Sequence, residues 1–236
     1  MNAEAIPLRG TPLFARPAGT LWQPGVKALC VSDLHLGKSD RLARAGGALL
    51  PPYENLETLG RLSEEIEATD PEIVICLGDS FDDLAGAASL DEDCRDMLLR
   101  MQAGRRWIWI EGNHDPGPVS VGGEHLAALT LEGLTYRHIA QPGAEAEISG
   151  HYHPKYAIPG GGAPRRCFVW DGLRCILPAF GAYTGGLSAL SPAIRILFGP
   201  EPFAVLTGRR PLRVPLVSDG DRRSSRPRQG WSGRFG

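Results

Sequence analysis

Short apolar runs, each ending at a glycine or an aspartate, dominate the first part of the chain. They cover residues 27–32, 72–77, 106–110 and, more weakly, 146–149. Runs of this length bounded by turn residues predict strands that are buried on both faces. Between the first three runs, apolar residues recur at intervals of three and four over 54–69 and 90–103, which predicts two helices. The first half of the chain therefore predicts a βαβαβ arrangement.

The second half has closely spaced apolar stretches separated by turn residues. These stretches cover 126–131, 134–138, 166–170, 173–177, 203–206 and 212–216. Such spacing predicts a second, more antiparallel sheet. The two halves together predict one α/β domain over 1–217, in which two sheets pack face to face with helices outside. The arginine-rich segment 218–236 has no apolar periodicity and is predicted to be a disordered tail.

Composition narrows the class of protein. The chain has 236 residues, of which 42% are hydrophobic and 22% charged, so wholesale disorder is excluded and one well-buried core is expected. The net charge of -2 gives no global attraction for nucleic acid or acidic lipid, so any binding of a polyanion must be local. No apolar run approaches the roughly 18 residues of a membrane span. Five cysteines, with Cys30 and Cys76 inside apolar runs, favour reduced thiols and a cytoplasmic location.

Polar clusters follow four of the predicted strands. They read Asp33-Leu-His35, Gly78-Asp79, Gly112-Asn113-His114-Asp115 and Gly150-His151-Tyr-His153. Loops at the carboxyl ends of parallel strands converge on one edge of a sheet, so these clusters are predicted to meet. Imidazole nitrogens mixed with carboxylate and amide oxygens suit Mn²⁺, Fe²⁺ or Zn²⁺ better than Ca²⁺ or a thiolate-bound metal.

The spacings suggest individual roles. On an extended backbone, Asp-x-His and His-x-His each place two side chains on one side, so each pair can reach one ion. Asp79 can bridge two ions because its two oxygens carry separate lone pairs. Asn113 offers a neutral carbonyl oxygen, and His114 is a candidate to face the substrate. Each motif alone is also compatible with an ordinary turn or surface loop, whereas the ordered set predicts a metal site.

The ordered set of DLH, GD, GNHD, a further histidine and GHYH resembles the calcineurin-like metallophosphoesterase superfamily over about residues 27–154. The resemblance implies a four-layer α/β/β/α sandwich of two mixed β-sheets flanked by helices. It also implies that two divalent metals activate a hydroxide for attack on a phosphoester. By motif position, one metal is assigned to Asp33, His35, Asp79 and His153. The other is assigned to Asp79, Asn113, His151 and one additional histidine.

Two histidines are candidates for the additional ligand. His138 follows an apolar stretch and so sits at a strand end, whereas His125 precedes a strand. We therefore favour His138 and expect His125 to be a surface histidine. His114 is assigned to the leaving oxygen, with Asp115 orienting its imidazole, although a simple turn or helix cap is the alternative for Asp115.

Contacts with substrate are less well determined by the sequence. Five residues are candidates for them, three as phosphate-binding cations at the rim and two by family resemblance: Lys38, Arg41, Arg44, Tyr183 and Thr184. A solvated loop or helix face is the alternative for the three cations. Asp82 and Asp83 are either partners of a ligating histidine or the start of a helix.

A narrower resemblance comes from LHLGK at 34–38, LGDSFDD at 77–83, EISGHYHP at 147–154 and LPAFGAYTGG at 177–186. This combination resembles the ligase-associated DNA damage response endonuclease family. That family implies a Mn²⁺-dependent phosphodiesterase or nuclease acting on DNA or RNA in repair, in functional association with a DNA ligase and a helicase. Two alternatives remain, a pyrophosphatase for a nucleotide-linked lipid or small nucleotide and a catalytically inactive interaction scaffold.

Overall fold

The computed structural model describes residues 2–46, 53–88, 90–117 and 120–216, so the predicted tail lies outside the described residues. The first sheet has seven strands in chain order: β1 (Glu4–Ala5), β2 (Phe14–Ala15), β3 (Leu21–Gln23), β4 (Ala28–Val31), β5 (Ile73–Leu77), β6 (Arg106–Ile110) and β7 (Glu124–Leu126). Strands β1 to β4 pair antiparallel, and β4 to β7 pair parallel. The predicted parallel core is confirmed, whereas β1 to β3 were not predicted.

Five helices are described: α1 (Lys38–Arg44), α2 (Glu54–Thr69), α3 (Leu84–Ala88), α4 (Glu92–Gln102) and α5 (Pro192–Arg195). The predicted bounds of α2 are confirmed, and α4 falls inside the predicted 90–103. Buried apolar residues of α2 (Leu59, Leu62) and of α4 (Cys94, Leu98) pack in one cluster with Val74 of β5. These two helices therefore cover the outer face of the first sheet.

The second sheet contains the remaining strands: β8 (Ala128–Leu131), β9 (Leu134–Arg137), β10 (Glu147–Ser149), β11 (Lys155–Tyr156), β12 (Arg165–Trp170), β13 (Arg174–Ile176), β14 (Phe203–Leu206) and β15 (Leu212–Pro215). Its order is β15-β14-β12-β13-β10-β9-β8, with β11 paired to β12. Strand β10 is parallel to β9 and β13, and the other pairs are antiparallel. The predicted run 126–131 is divided, because β7 ends and β8 begins on either side of Ala127 as the chain passes between the sheets.

The main core lies between the two sheets. Ile75 and Ile108 of the first sheet pack in one buried cluster with Ile148 and Phe168 of the second. A further cluster around Val169 and α5 covers the outer face of the second sheet. Two mixed sheets flanked by helices confirm the predicted fold class, although the outer layer on the second sheet consists of one short helix and loops.

The parallel strands β4, β5 and β6 end at the same edge of the first sheet. At the ends of β9 and β10 in the second sheet, the backbone N–H of Gly150 donates to the carbonyl of His138 at 3.0 Å. The loops from both sheets meet at this edge, and the polar clusters lie in those loops. Among the described helices, none is both long and apolar enough to cross a bilayer.

Candidate metal centre

The first group of ligand atoms comes from the loops after β4 and β10. His35 Nε2 and His153 Nε2 face each other at 3.4 Å, and His153 Nε2 lies 3.1 Å from Asp33 Oδ1. Asp33 is fully buried and His35 is nearly so. Ligand atoms of the three residues all lie within 4.8 Å of one another, a grouping that can hold one metal ion. We call Asp33, His35 and His153 the first cluster.

The second group centres on His138. Its Nε2 lies 3.0 Å from Asn113 Oδ1, 3.2 Å from His151 Nδ1 and 3.2 Å from Asp79 Oδ2. We call Asp79, Asn113, His138 and His151 the second cluster. The structure thus brings His138 to this position.

Asp79, a member of the second cluster, also faces the first cluster. Its Oδ2 faces His138 Nε2 of the second cluster at 3.2 Å and His35 Nε2 of the first at 4.0 Å. Its Oδ1 accepts a hydrogen bond from the backbone N–H of His114 at 2.9 Å. The carboxylate is therefore held with one oxygen directed at both groups, whereas the predicted bridge used both oxygens.

The hydrogen-bond partners of the histidines determine which ring nitrogens are available as ligands. The Nδ1 atom of His138 lies 2.8 Å from the Leu77 carbonyl, and Nδ1 of His35 lies 2.7 Å from Asp82 Oδ1. Both partners only accept, so each Nδ1 carries a proton, and in the neutral ring each Nε2 presents a lone pair. Lone pairs then face other lone pairs in both clusters. A cation relieves this convergence of acceptors, either a proton shared between His138 and Asp79 or a metal ion, and nitrogen mixed with carboxylate oxygen fits a transition metal.

Five of these residues have a left-handed backbone. The φ angles are +54° at Asp33, +47° at His35, +46° at Asp79, +69° at His151 and +47° at His153. The extended backbone predicted for Asp-x-His and His-x-His is therefore wrong. Asp33 and His35 still meet, but His151 and His153 point to different clusters. Left-handed non-glycine residues cost about 1–3 kcal/mol each and concentrate at functional sites.

Two glycines allow the loops to approach this closely. A Cβ on Gly78 would lie 2.5 Å from Cγ of His138, and one on Gly150 would lie 1.7 Å from Oγ of Ser32. Neither distance is physically accessible, so the positions require glycine. The glycines that precede Asp79 and His151 in the sequence thus let the two sheets bring their ligands together.

Asp82 supports the first cluster from behind. Its carboxylate accepts from Nδ1 of His35 at 2.7 Å, forms an ion pair with Arg41 and lies 3.7 Å from Lys38 Nζ. Burial raises the pKa of Asp82, but the hydrogen bonds from His35 and Arg41 and the charge of Lys38 outweigh burial and lower it. Asp83 instead accepts from the backbone N–H of Gly86 at the start of α3. Of the two alternatives left open by the sequence, Asp82 is the partner of a histidine and Asp83 lies at the start of a helix.

His114 and Asp115 have separate partners. Nδ1 of His114 donates to the backbone carbonyl of Asp82 at 3.0 Å, which leaves Nε2 for other contacts. The buried carboxylate of Asp115 instead accepts four backbone N–H groups, from Asp79, Ser80, Phe81 and Gly112. The orienting role predicted for Asp115 is corrected accordingly, because this carboxylate ties the loop after β5 to the loop after β6.

Electrostatics reinforce the role of Asp79. Burial raises its pKa, but the hydrogen bond and charge of His138, with smaller contributions from His114 and His35, outweigh burial and lower the pKa to about 2. For His138, burial lowers the pKa, and Asp79 and Asp33 reverse this and raise it. Burial and the neighbouring His138 lower the pKa of His151. The carboxylate of Asp79 is thus held ionised, as a metal ligand must be.

The cations predicted to contact substrate are engaged with carboxylates. Lys38 and Arg41 face Asp82, and Arg44 pairs with Asp40 and with Asp83 Oδ2, the latter at 2.7 Å. These contacts place α1 against the first cluster. Among the described residues, the three cations therefore contact carboxylates of the loop after β5 and of α1.

The loop that carries Tyr183 and Thr184 also borders the first cluster. Its residue Gly181 donates from the backbone N–H to the Asp33 carbonyl at 3.0 Å. Thr184 is buried, and its hydroxyl accepts from Arg166 at 3.0 Å and donates to the Gly181 carbonyl at 3.0 Å. Thr184 therefore stabilises the loop, while Tyr183 beside it is half-buried.

His125 lies apart from both clusters. The prediction that it precedes a strand is wrong, because His125 belongs to β7. Its ring is half-buried and stacks on Trp109 of β6, with ring centroids 6.5 Å apart. The histidine needed at the second cluster is thus supplied by the end of β9.

Comparisons with known proteins relate this chain to a family and to a solved structure. The sequence profile of the calcineurin-like phosphoesterase family matches residues 26–213. The crystal structure of the Pseudomonas putida nuclease MPE superposes with a TM-score of 0.70 and 30% sequence identity, covering 89% of this chain and 100% of that chain. A search of curated proteins finds no match. The profile match includes both clusters.

Proposed function

Because the chain belongs to the calcineurin-like phosphoesterase family and is a metal-dependent phosphodiesterase, we propose that it is a nuclease, hydrolysing phosphodiester bonds of DNA or RNA. The observation that carries this proposal is the pair of ligand clusters on either side of Asp79. Two ions in such a site grip one phosphoryl group from both sides. The similarity to a nuclease of Pseudomonas putida supports nucleic acid as the substrate.

The residues assigned to each ion are those predicted from the motifs. One ion would be held by the first cluster with Asp79, and the other by the second cluster. When bound, divalent ions lower the pKa of a water and neutralise charge on the phosphoryl oxygens. We propose Mn²⁺ as the physiological ion, because imidazole mixed with carboxylate and amide oxygen suits it. Fe²⁺ and Zn²⁺ are the alternatives, because they suit the same donors.

His114 is proposed to protonate the leaving oxygen. Its Nδ1 donates to the Asp82 carbonyl, so the ring is oriented while Nε2 remains to donate as an imidazolium. The ring lies near the first cluster, with its centroid 5.2 Å from that of His35. This neighbourhood supports a role at the reacting phosphate.

A more specific role in DNA repair, alongside a DNA ligase and a helicase, also belongs to the proposal. It rests on the resemblance of LHLGK, LGDSFDD, EISGHYHP and LPAFGAYTGG to the ligase-associated endonuclease family. A cytoplasmic location is supported by the five cysteines, all of which are buried free thiols. Free thiols are typical of a reducing compartment.

A substrate panel tests the proposed reaction. The metal-free protein is supplied with Mn²⁺ and offered bis(4-nitrophenyl) phosphate, 4-nitrophenyl phosphate, single-stranded DNA, duplex DNA, RNA and a nucleotide-linked lipid pyrophosphate. We expect cleavage of the diester and of at least one nucleic acid, and loss of both activities with excess EDTA. Cleavage of the monoester or the pyrophosphate alone would contradict the proposal, and so would EDTA-resistant turnover.

Asp82→Asn tests the support behind the first cluster. The substitution keeps the size of the side chain but removes the charge that holds His35 and Arg41. Loss of such an outer-shell partner typically weakens metal binding by about 10- to 100-fold, and we expect a loss of this size in Mn²⁺ titrations. Asp83→Asn is the matched control, because Asp83 contacts Gly86 and Arg44 instead. Equal metal affinity in both variants would show that Asp82 does not hold His35.

A further inference from the structure

An open cleft of about 350 Å³ adjoins the second cluster. Residues that line it include Asn113, Pro116, Ala127, Arg137, His138 and Ile139. Two of these, Asn113 and His138, belong to the second cluster itself. The cleft therefore begins at the second cluster, where it can receive a group attached to a phosphate bound there.

The cleft forms where the chain crosses from one sheet to the other. Ala127 lies between β7 and β8, and Ile139 directly follows the predicted ligand His138. Ile139 is 44% exposed, so its aliphatic side chain is accessible from the cleft. Pro116 and Ala127 are exposed in the same cleft. An apolar wall beside a charged site suits the flat, uncharged face of a base or sugar and does not suit a second phosphate.

The polar part of the lining consists of Arg137 together with Glu111, Asn113 and His138. The side chain of Arg137 is only 23% exposed, and its Nε lies 3.1 Å from Oε2 of the buried Glu147. The carboxylate of Glu147 offsets the charge of the guanidinium, although Nε makes no hydrogen bond to it. Arginine carries five N–H donors, so the terminal nitrogens of Arg137 can still donate to the edge of a base. A cleft with apolar faces and a few polar groups is the usual form of a site for a small organic group.

We propose that this cleft binds the nucleoside attached to the scissile phosphate, and that Ile139 packs against it. The inference rests on the proposed function and makes it more specific. The enzyme then selects diesters that carry a nucleoside over diesters that carry a simple alkyl group. The volume supports one nucleoside, since ligand pockets run from roughly 300 to 1,000 Å³ and this cleft is at the lower end.

Two diesters with the same leaving group test the proposal. Thymidine 5′-(4-nitrophenyl phosphate) and methyl 4-nitrophenyl phosphate both release 4-nitrophenolate, so they differ only in the group that would occupy the cleft. We expect kcat/KM of the Mn²⁺-loaded wild-type enzyme to be at least about tenfold higher for the thymidine ester. In Ile139→Ser, this ratio should fall to about two or less, mainly through a higher KM for the thymidine ester.

Ile196→Ser is the matched control. Ile196 is 83% exposed at the end of α5 and does not line the cleft. The ratio between the two esters should keep its wild-type value in this variant. Equal hydrolysis of both esters by the wild type, or an unchanged ratio in Ile139→Ser, would overturn the nucleoside cleft while leaving the phosphodiesterase intact. If neither ester is hydrolysed, the proposed function fails, and the inference fails with it.

Discussion

Asp79→Asn is expected to lower kcat/KM for phosphodiesters by at least about 10³-fold, well beyond the roughly 10- to 100-fold typical of an outer-shell loss. The cause is the position of Asp79 Oδ2, which faces His138 Nε2 at 3.2 Å and His35 Nε2 at 4.0 Å. Removing this charge weakens both clusters together, so metal content and activity should fall in parallel. The measurement is metal analysis by mass spectrometry on the dialysed protein, combined with steady-state kinetics.

The control for Asp79→Asn is Asp70→Asn. Asp70 also has a left-handed backbone, with φ of +40°, but its side chain is 91% exposed. It lies between α2 and β5, whereas Asp79 follows β5, so the two aspartates lie at opposite ends of that strand. Asparagine tolerates this backbone region, so neither substitution should unfold the protein. Wild-type metal content and turnover in Asp79→Asn would show that the two clusters do not depend on Asp79.

His114→Ala is expected to lower kcat for DNA by about 10²- to 10⁴-fold while metal content stays at the wild-type level. The His114 ring donates to the Asp82 carbonyl, and the close contacts among ligand atoms at 3.0–3.4 Å in the two clusters do not involve it. A group that donates a proton only in the transition state changes kcat and leaves metal binding unaltered. For a 4-nitrophenyl diester the loss should be smaller, because nitrophenolate leaves without a proton.

His125→Ala controls for the loss of an imidazole. His125 of β7 stacks on Trp109 of β6 and belongs to neither cluster. Turnover of both substrates by this variant should therefore be near that of the wild type. For His114→Ala, equal losses on DNA and on the nitrophenyl diester would favour electrostatic positioning over proton transfer. Loss of one metal would instead make His114 a ligand, through the group that it forms with His35 and Asp82.

The strand ends were the part of the site that the sequence could predict. Buried parallel strands give continuous apolar runs, so the points at which β4, β5 and β6 end were visible, together with the polar residues after them. The same reasoning separated His138 at the end of β9 from His125. Helix α2 was also predictable, because its apolar residues recur at helical spacing over sixteen residues.

The local backbone geometry could not be predicted from the sequence. The left-handed conformation of Asp33 and His151 depends on contacts between two sheets. Aspartate and histidine are enriched in this region, but most of them lie outside it, so residue type alone does not predict it. Strands β1 and β2 have two residues each, too short for any periodicity. The sequence left open whether Asp82 supports a ligating histidine, because its contact with His35 spans 47 positions and forms only in the folded chain.

The most direct test of two ions joined through Asp79 is anomalous diffraction from crystals of the protein soaked with Mn²⁺. We predict two anomalous peaks per chain, both next to Asp79. One should also adjoin the first cluster (Asp33, His35, His153), and the other the remaining members of the second cluster (Asn113, His138, His151). A single peak, or peaks that do not contact Asp79, would contradict the account.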